Sequence, residues 1–494
     1  MASENSSNFL KLGGSTFYSM LLSIVSSFFL MNFLSPNQFG IISQIYMGVN
    51  VFSLFSFSFI STANFEVPKH KIENNHEDLR EVITSTFIMS YILCLPIASA
   101  YVFYKFLMYG CTTQEWMTYT CFLFLLFLRQ TQMCLTNIYL RGWKLFALLS
   151  KAQWISYTLS YALMILTAAY FHFYFVLLSL LAYRIFFNLY VVMNIDFVPL
   201  KRVSKKIWKS MFQKSTPLFF NDSIAMLASY SNQIILTIGM SQFAAQRSMA
   251  LYNNGLRVQE VLLKISFVTY SIFMVNFKEF YTLHSKKLLF EETKKYTQLL
   301  GAFCPWLCVC GISSYQYLST LLLPSFYEQS FITLKFLSWS STIMLVTLFY
   351  SIFLTAIEHL WIKSIANILS TLSMIICTYV AIKNNQSISW IAFYTCIITA
   401  LHFGFIAIYS YVTSGFSLLL GTIETIRLYM PCIILFFSEY YLWKSYPLSA
   451  SINSSFTLVI HLFLFTLLSF FCATIFNRSG LKFGFQKIKL KFNF

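Results

Sequence analysis

The first apolar stretch of the chain sets a pattern that the rest repeats. Residues 12–33 read LGGSTFYSMLLSIVSSFFLMNF, without one charged side chain. A membrane-spanning α-helix needs about 20 mainly apolar residues. We therefore interpret 12–33 as a first span, one that we expect to be retained and not cleaved as a signal peptide. The next residues, LSPNQFG at 34–40, join it to a second apolar stretch.

The composition extends this pattern to the whole chain. Of the 494 residues, 57% are apolar, 19% aromatic and 10% charged, whereas soluble domains carry about 25% charged residues. The formal net charge of +17 is confined to short gaps between apolar runs, which is typical of membrane topology and not of a nucleic-acid-binding face. The sequence predicts an all-α polytopic membrane protein that contacts membrane lipids and binds no nucleic acid.

Fourteen stretches have the length and apolarity of a span. Segment 427–443 is the weakest because it is short and contains Pro431 and Glu439, and a count of twelve or thirteen stays open. The fourteen stretches are 12–33, 41–64, 83–106, 117–140, 152–170, 173–196, 217–239, 249–276, 299–322, 332–357, 364–382, 389–412, 427–443 and 453–475.

Basic residues are divided unequally between the two sets of gaps. The gaps on one side hold 24 Lys and Arg residues, and those on the other side hold four. Cytoplasmic loops are enriched in Lys and Arg, so we expect the first set, with both termini, in the cytoplasm. Gap 197–216 carries six basic residues, and we favour an anchor at anionic headgroups over a role in substrate binding.

The spans and gaps predict five segments, and an internal repeat supports the division. Residues 34–46 match 240–252 at a constant offset of 206, with Ser35 opposite Ser241 and Tyr46 opposite Tyr252. Six spans per copy is an even number, so the copies form a parallel repeat about an axis normal to the membrane. The segments are a six-helix bundle (1–196), a basic linker (197–216), a second six-helix bundle (217–412), two additional helices (413–475) and a basic tail (476–494).

The opening of the chain resembles that of Wzx-type polysaccharide flippases. The residues that carry the resemblance are KLGGST at 11–16, the first span and FLSPNQFG at 33–40, and the layout of 217–252 is also similar. One departure is Asn232–Gln233, where many members of that family have an Asp–Arg pair. The resemblance implies the MATE-like fold of the multidrug/oligosaccharidyl-lipid/polysaccharide exporter superfamily, in which two six-helix bundles surround a central cavity, often with two C-terminal helices added.

The resemblance also implies a function. Such proteins move an undecaprenyl-diphosphate-linked oligosaccharide, for example an O-antigen, capsule or exopolysaccharide repeat unit, from the inner to the outer leaflet of the bacterial cytoplasmic membrane. A polysaccharide polymerase and a chain-length regulator are the protein partners that this pathway implies. The sequence contains no P-loop, so we expect a transporter without nucleotide hydrolysis, and we assign it no cofactor.

Charged residues inside the spans carry the prediction about function. A Lys, Arg or Asp at mid-membrane costs about 2.5–3.5 kcal/mol, so we expect these side chains to face water or a partner. The excess of positive charge predicts an electropositive cavity suited to a lipid diphosphate, whose oxygens Arg binds through paired donors. The basic residues are Arg129, Arg184, Arg257 and Lys264, and the acidic ones are Asp222 and Glu260.

We rank Arg257 first as a diphosphate contact, then Arg129 and Arg184, with Lys264 as a further charge. Asp222 and Glu260 are candidate counter-charges or coupling residues.

Structural alternatives stay open for most of these residues. Arg257, Glu260 and Lys264 share one helical face and can form an ion-pair ladder within the helix. Arg129 and Arg184 can instead make structural bonds. Lys335, near the outer end of its span, can snorkel to the membrane surface.

Two clusters outside this set receive structural interpretations. Cys304, Cys308 and Cys310 lie in an apolar helix without a neighbouring His or carboxylate, and we interpret them as packing residues and not as a metal site. The acids at 73–81 alternate with basic residues, which indicates a solvated helix.

Three other functions compete with the flippase prediction. A lipid II flippase shares the fold and the cationic cavity, whereas a MATE-like cation or drug antiporter needs an excess of carboxylate. A membrane polymerase or glycosyltransferase needs paired acids or a large outer loop, and the outward gaps here are short.

Overall fold

The computed structural model of the protein is helical throughout. It describes residues 2–109, 112–143, 145–171, 173–197, 201–283, 285–445 and 453–483. No β-strand occurs among these residues, which confirms the predicted all-α class. They group into two compact units, one with the described residues up to Thr237 and Ser241–Met249, the other with Ile238–Met240 and the described residues from Ala250 onward.

The first unit contains eight complete α-helices, most of a ninth and the beginning of a tenth. A 3₁₀-helix, Ser53–Ser56, separates the second from the third, and a π-helix, Leu135–Arg141, follows the sixth. The α-helices are α1 (Ala2–Phe33), α2 (Pro36–Phe52), α3 (Phe59–Ile72), α4 (His76–Ile92), α5 (Cys94–Tyr109), α6 (Thr113–Cys134), α7 (Phe146–Tyr170), α8 (Phe173–Val192), α9 (Lys205–Gly239) and α10 (Gln242–Gly255).

The second unit contains the last residues of α9, the end of α10 and eight further α-helices. A 3₁₀-helix, Ser325–Ser330, precedes the third of these eight. The α-helices are α11 (Arg257–Leu283), α12 (Lys286–Leu322), α13 (Phe331–Val346), α14 (Leu348–Ala356), α15 (Leu360–Lys383), α16 (Ile388–Thr413), α17 (Leu418–Ser445) and α18 (Asn453–Phe476).

The predicted count of fourteen spans is not confirmed. Among the described residues, nine helices are long and apolar enough to cross a membrane, or ten if Ser325–Val346 and Leu348–Ala356, bent by 43°, form one span. Four of the predicted spans are helical in the structure but are not among these helices. Span 12–33 lies in α1, where Phe17–Phe33 counts only as a shorter apolar helix, and span 152–170 lies in α7. Span 217–239 lies within α9 and carries many polar residues, and span 249–276 is interrupted between α10 and α11.

The sequence LSPNQFG ends the first helix and begins the second. Ser35 caps α2 in a capping box, in which the Gln38 amide donates to Ser35 Oγ and the Ser35 amide donates to Gln38 Oε1 at 3.0 Å. Pro36 occupies the first helical turn, where its missing N–H costs nothing. The same break recurs 206 residues later, because α9 ends at Gly239 and α10 begins at Gln242, so the predicted repeat is present in the local structure.

Gly40 in this motif lies directly against α10. A Cβ atom built on Gly40 would come within 2.0 Å of the carbonyl oxygen of Gln246, and both residues belong to the first unit. Gln246 stands at the offset of 206 from Gly40. Equivalent positions of the two copies therefore contact each other, and only a residue without a side chain fits between them.

The basic linker is docked on acidic residues of α4. Lys201 Nζ lies 3.3 Å from Glu77 Oε1, and the Ser204 amide donates to Glu81 Oε2 at 2.9 Å. Glu77 is 82% exposed, as predicted for a solvated helix, but that interpretation is wrong for Glu81, which is 8% exposed. Part of the linker is thus held by the protein itself.

Gly40→Ala is expected to destabilise the protein. The new methyl group would overlap main-chain atoms that cannot rotate away, and overpacking of this kind costs about 1–3 kcal/mol. Unfolding in detergent, followed by loss of the monodisperse fraction on heating, measures the effect. Gly14→Ala is the control, since a Cβ at Gly14 has nothing within 4 Å. Equal stability of the two variants would contradict the close contact.

Candidate functional site

Two half-buried arginines lie in the same region of the first unit. Arg184 on α8 donates to Gln132, which stands one helical turn after Arg129 on α6. No described carboxylate forms an ion pair with either guanidinium, and Arg129 Nε is buried without a hydrogen-bond partner. The structure therefore brings together two of the predicted residues. Among the described residues, the groups that contact their guanidinium charges are neutral.

The neutral groups around this arginine pair are amides, hydroxyls and aromatic rings. Arg184 donates to Gln132 Oε1, and Gln132 Nε2 donates to the Tyr183 hydroxyl at 2.9 Å. The Arg184 guanidinium also lies 5.7 Å from the Tyr183 ring centroid, within cation–π distance. Tyr157 stacks on Tyr183 with centroids 4.3 Å apart. These contacts orient Arg184 without neutralising its charge.

The Tyr230 hydroxyl on α9 lies within electrostatic range of Arg129. Asn50 Nδ2 donates to this hydroxyl at 2.6 Å. Nothing in the spacing of residues 50, 129, 184 and 230 along the chain indicates that they meet. Sequence reasoning missed Asn50, Gln132, Tyr183 and Tyr230 for this reason.

The second unit contains the predicted charged face at the start of α11. Arg257 Nη1 lies 3.2 Å from Glu260 Oε2, and the Arg257 side chain is 13% exposed. Lys264 lies within electrostatic range of both Arg257 and Glu260. The predicted ion-pair ladder is thus observed in its first step, and one positive charge of the three residues is left over. Of the three ranked arginines, Arg257 is the one with a carboxylate partner.

Asp222 takes hydroxyl partners in the first unit. Ser58 Oγ and Ser61 Oγ donate to Asp222 Oδ2 at 2.8 and 3.2 Å. No described cation forms an ion pair with this carboxylate, so it is no counter-charge for the arginine pair. The role of Asp222 as a coupling residue stays a prediction.

Lys335 and Glu439 form a buried ion pair in the second unit. Lys335 Nζ lies 3.3 Å from Glu439 Oε1, and the side chains are 15% and 1% exposed. Trp339 Nε1 donates to Glu439 Oε2 at 3.2 Å. The prediction that Lys335 snorkels to the membrane surface is therefore wrong. Glu439 looks isolated in sequence, but its partner lies 104 positions earlier in the chain. Segment 427–443, the weakest of the predicted spans, lies in α17, and Leu418–Tyr441 is apolar enough to cross a membrane.

No group of three or more His, Cys, Asp or Glu residues is arranged to hold a metal ion within the described ranges. Cys304 and Cys308 are buried in the interior of α12, and Cys310 is half-buried.

Fold and charges together define a multi-span membrane protein. The family model described as "Polysaccharide biosynthesis protein" matches residues 29–303, more than half of the chain, and the protein belongs to this family. A comparison with curated protein sequences gives no match.

Solved structures confirm the predicted fold. The chain is similar to the lipid II flippase MurJ in an inward closed conformation, with a TM-score of 0.59 and 15% identity over 95% of this chain and 99% of MurJ. It is also similar to an inward-facing multidrug resistance MATE family transporter, with a TM-score of 0.58 and 13% identity over 83% of this chain and 95% of the transporter. At such identities the likeness shows the fold alone.

Breaking one side of the Lys335–Glu439 pair is expected to destabilise the protein strongly. Lys335→Met leaves a carboxylate buried without compensation, which costs about 3–5 kcal/mol, whereas replacing both residues by apolar ones is close to neutral. The free energy of unfolding in detergent is compared for Lys335→Met and for Lys335→Met combined with Glu439→Leu.

The control for this pair is Lys295→Met, which removes the ion pair with Glu292 at 2.6 Å on an exposed part of α12. Exposed pairs contribute about 0–1 kcal/mol. A single Lys335→Met variant as stable as this control would show that the buried pair is not formed.

Proposed function

We propose that this protein is a flippase that moves a polyprenyl-diphosphate-linked oligosaccharide across the cytoplasmic membrane by alternating access. The observation that supports this proposal is the pair Arg129 and Arg184, which is half-buried in the first unit and has no carboxylate partner among the described residues. Two like charges held together at lipid depth are costly. A dianionic ligand compensates both charges at once.

The chemistry of the arginine pair supports a diphosphate in particular. Guanidinium groups bind phosphate oxygens through parallel N–H donors, and Arg129 Nε is an unused buried donor. Gln132 and Tyr183 hold Arg184 in place beforehand, which lowers the ordering cost of binding. The lipid-linked substrate of the proposed reaction joins a diphosphate to a sugar, and the nearby hydroxyls and amides suit the sugar.

Family membership supports the oligosaccharide part of the substrate. The family is described by polysaccharide biosynthesis, and the fold is that of MurJ, which is named as a lipid II flippase. We propose an O-antigen, capsule or exopolysaccharide repeat unit as the glycan, movement from the inner to the outer leaflet, and both termini in the cytoplasm. A cation or drug antiporter is disfavoured because the arginine pair would repel its substrate.

Arg129→Gln is expected to slow flipping by at least about 30-fold. This substitution removes the proposed contact between Arg129 and the diphosphate. Loss of one partner of a buried, hydrogen-bonded charge pair costs about 2–5 kcal/mol. The assay uses proteoliposomes with a fluorescent undecaprenyl-diphosphate-linked hexose and an impermeant quencher. Arg129→Lys keeps the charge but loses the paired donors, so its flipping rate should lie between those of the wild type and Arg129→Gln.

Lys295→Gln is the control for the Arg129 variants, because Lys295 is an exposed cation paired with Glu292. It should flip the probe at the wild-type rate. A wild-type rate for Arg129→Gln would refute the assignment of the arginine pair to the diphosphate.

A membrane potential is expected to bias the reaction. Each negative charge that moves outward from a negative interior gains about 2.3 kcal/mol per 100 mV, which is at most about 50-fold in rate per charge. Potassium diffusion potentials of both signs are imposed on the same proteoliposomes. Rates that are equal at all potentials would argue against net movement of the diphosphate charge in the slow step.

A further inference from the structure

A small cleft lies in the second unit, where α12 and α17 meet the end of α18. We call it the Asn477 cleft. All of its residues belong to the second unit, whereas the arginine pair belongs to the first. The lining of the cleft includes Gln298, Tyr411, Glu424, Arg427, Phe476 and Asn477.

Three segments that the sequence predicts on the cytoplasmic side meet at this cleft. Gln298 ends the predicted gap 277–298, Glu424 belongs to the gap 413–426, and Asn477 lies at the start of the tail 476–494. Basic pockets between membrane helices on the cytoplasmic side bind the head groups of anionic lipids. A site in this place is therefore at the depth of lipid phosphates.

Two cations and one carboxylate lie at the cleft. Lys294 Nζ and Arg427 Nη1 are both 3.9 Å from Glu424 Oε1, which is too far for a hydrogen bond. The carboxylate therefore holds neither cation tightly, and one positive charge of the three side chains is left over. Because Arg427 is 49% and Lys294 30% exposed, an anion can approach them from the surface.

Arg427 is oriented by the main chain of α18. Its Nε donates to the carbonyl oxygen of Phe476, the last residue of that helix, at 3.1 Å. This contact fixes the plane of the guanidinium and leaves the two terminal nitrogens for another acceptor. Parallel N–H donors of this kind bind two oxygens of a phosphate at once.

Asn477 supplies an unused donor inside the cleft. Its side chain is 1% exposed, and Nδ2 is buried without a hydrogen-bond partner in the part of the chain that the structure describes. A buried polar group without a partner costs free energy, and such groups usually have one in a folded protein. An acceptor oxygen of a ligand in the cleft would satisfy Asn477 Nδ2.

Two further polar side chains of the cleft can donate to the same ligand. Ser479 Oγ donates to Gln298 Oε1, which leaves the amide nitrogen of Gln298 for another acceptor. The Tyr350 hydroxyl donates to the Tyr411 hydroxyl at 3.2 Å, so the proton of Tyr411 can point to a ligand. A set of donors with one carboxylate at its edge suits a group rich in acceptor oxygens, such as a phosphate.

Exposed apolar side chains adjoin the cleft and suit the acyl chains of a lipid. Ile423 and Ile426 on α17 and Phe471 and Ile475 on α18 are all exposed. Each of them lies within two helical turns of a residue that lines the cleft. A lipid with its phosphate in the cleft could therefore lay its chains along these two helices.

The chain after α18 folds back onto α12 and forms one wall of the cleft. A Cβ atom built on Gly480 would come within 2.4 Å of the carbonyl carbon of Gln298, and Leu481 is buried against Ala302. A ligand that contacts Arg427 and Asn477 together would connect α17 to this returning segment. Binding is thus expected to stabilise the folded state of the second unit.

From these contacts we infer that the Asn477 cleft binds the phosphate of an anionic phospholipid of the cytoplasmic leaflet. Arg427 and Lys294 supply the charge, and Asn477 supplies an amide donor. A phosphodiester such as that of phosphatidylglycerol carries one negative charge, equal to the excess positive charge of the cleft. Inorganic phosphate shares this chemistry but has no acyl chains. The inference is independent of the flippase proposal, which rests on the first unit.

Lipid binding by the purified full-length protein tests the site. Native mass spectrometry measures the concentration of phosphatidylglycerol that half-saturates the first bound lipid, with phosphatidylcholine and inorganic phosphate titrated in parallel. Arg427→Gln and Asn477→Leu are each expected to raise this concentration at least tenfold. The matched control is Lys295→Gln, which removes an exposed cation of α12 that pairs with Glu292 and should bind phosphatidylglycerol as the wild type does.

A thermal measurement distinguishes a lost ligand from a lost fold. A ligand that binds only the folded state stabilises it by mass action. Phosphatidylglycerol is therefore expected to raise the unfolding temperature of the wild type and of Lys295→Gln, but not that of Arg427→Gln or Asn477→Leu. Monodispersity of each variant without added lipid verifies folding. Arg427→Lys keeps the charge but loses the paired donors, and should retain part of the effect.

The outcomes separate the lipid from other ligands. Tenfold weaker binding of phosphatidylglycerol in folded Arg427→Gln and Asn477→Leu, with Lys295→Gln unaffected, supports the site. Equal binding of phosphatidylcholine and phosphatidylglycerol by the wild type overturns it, as does wild-type affinity for phosphatidylglycerol in both variants. Inorganic phosphate that stabilises the wild type as well as phosphatidylglycerol does, and fails in the same variants, overturns the lipid as the ligand and supports an oxyanion site.

Discussion

The structure depends on the cost of placing an ionised side chain where no water reaches it. Each charge inside the apolar helices has to be compensated, and the kind of compensation differs from site to site. Lys335 forms an ion pair with Glu439, so the two charges compensate each other. Among the described residues, Arg129 and Arg184 receive amide, hydroxyl and ring contacts and no carboxylate. We propose the site where the charge is left uncompensated, because a folded chain keeps such a pair only at a continuing cost.

The same constraint explains why several helices are too polar to qualify as spans by composition. Helix α9 carries Asp222 and Tyr230, and each of these has its partner on α2 or α3. In a bilayer such groups must be satisfied by neighbouring helices or by water. A helix that lines a hydrated space is therefore less apolar than one that faces lipid, and a count based on apolarity omits it. Helix α9 fails the count in this way, whereas α6 and α8, which carry Arg129 and Arg184, pass it.

Fold alone does not separate the functions that this architecture supports. The chain shares its fold with MurJ and with a MATE transporter at 15% and 13% identity, and one fold can serve many chemistries. The proposed function depends on the sign of the uncompensated charge, since a cationic pair attracts a diphosphate and repels a cationic drug. In the second unit, Glu260 reduces the charge of Arg257, so the first unit carries the clearest excess.

The sequence by itself determined the features that depend on residues close together along the chain. Apolar runs of span length predicted the all-helical class, the LSPNQFG motif became a capped turn between two helices, and the spacing of Arg257 and Glu260 by three residues became an ion pair. Only the tertiary structure decided which distant residues meet: Lys335 with Glu439, or Arg129 with Arg184. Residues three or four apart are neighbours on any α-helix, whereas contacts between helices depend on how whole side-chain surfaces pack, which no local spacing encodes.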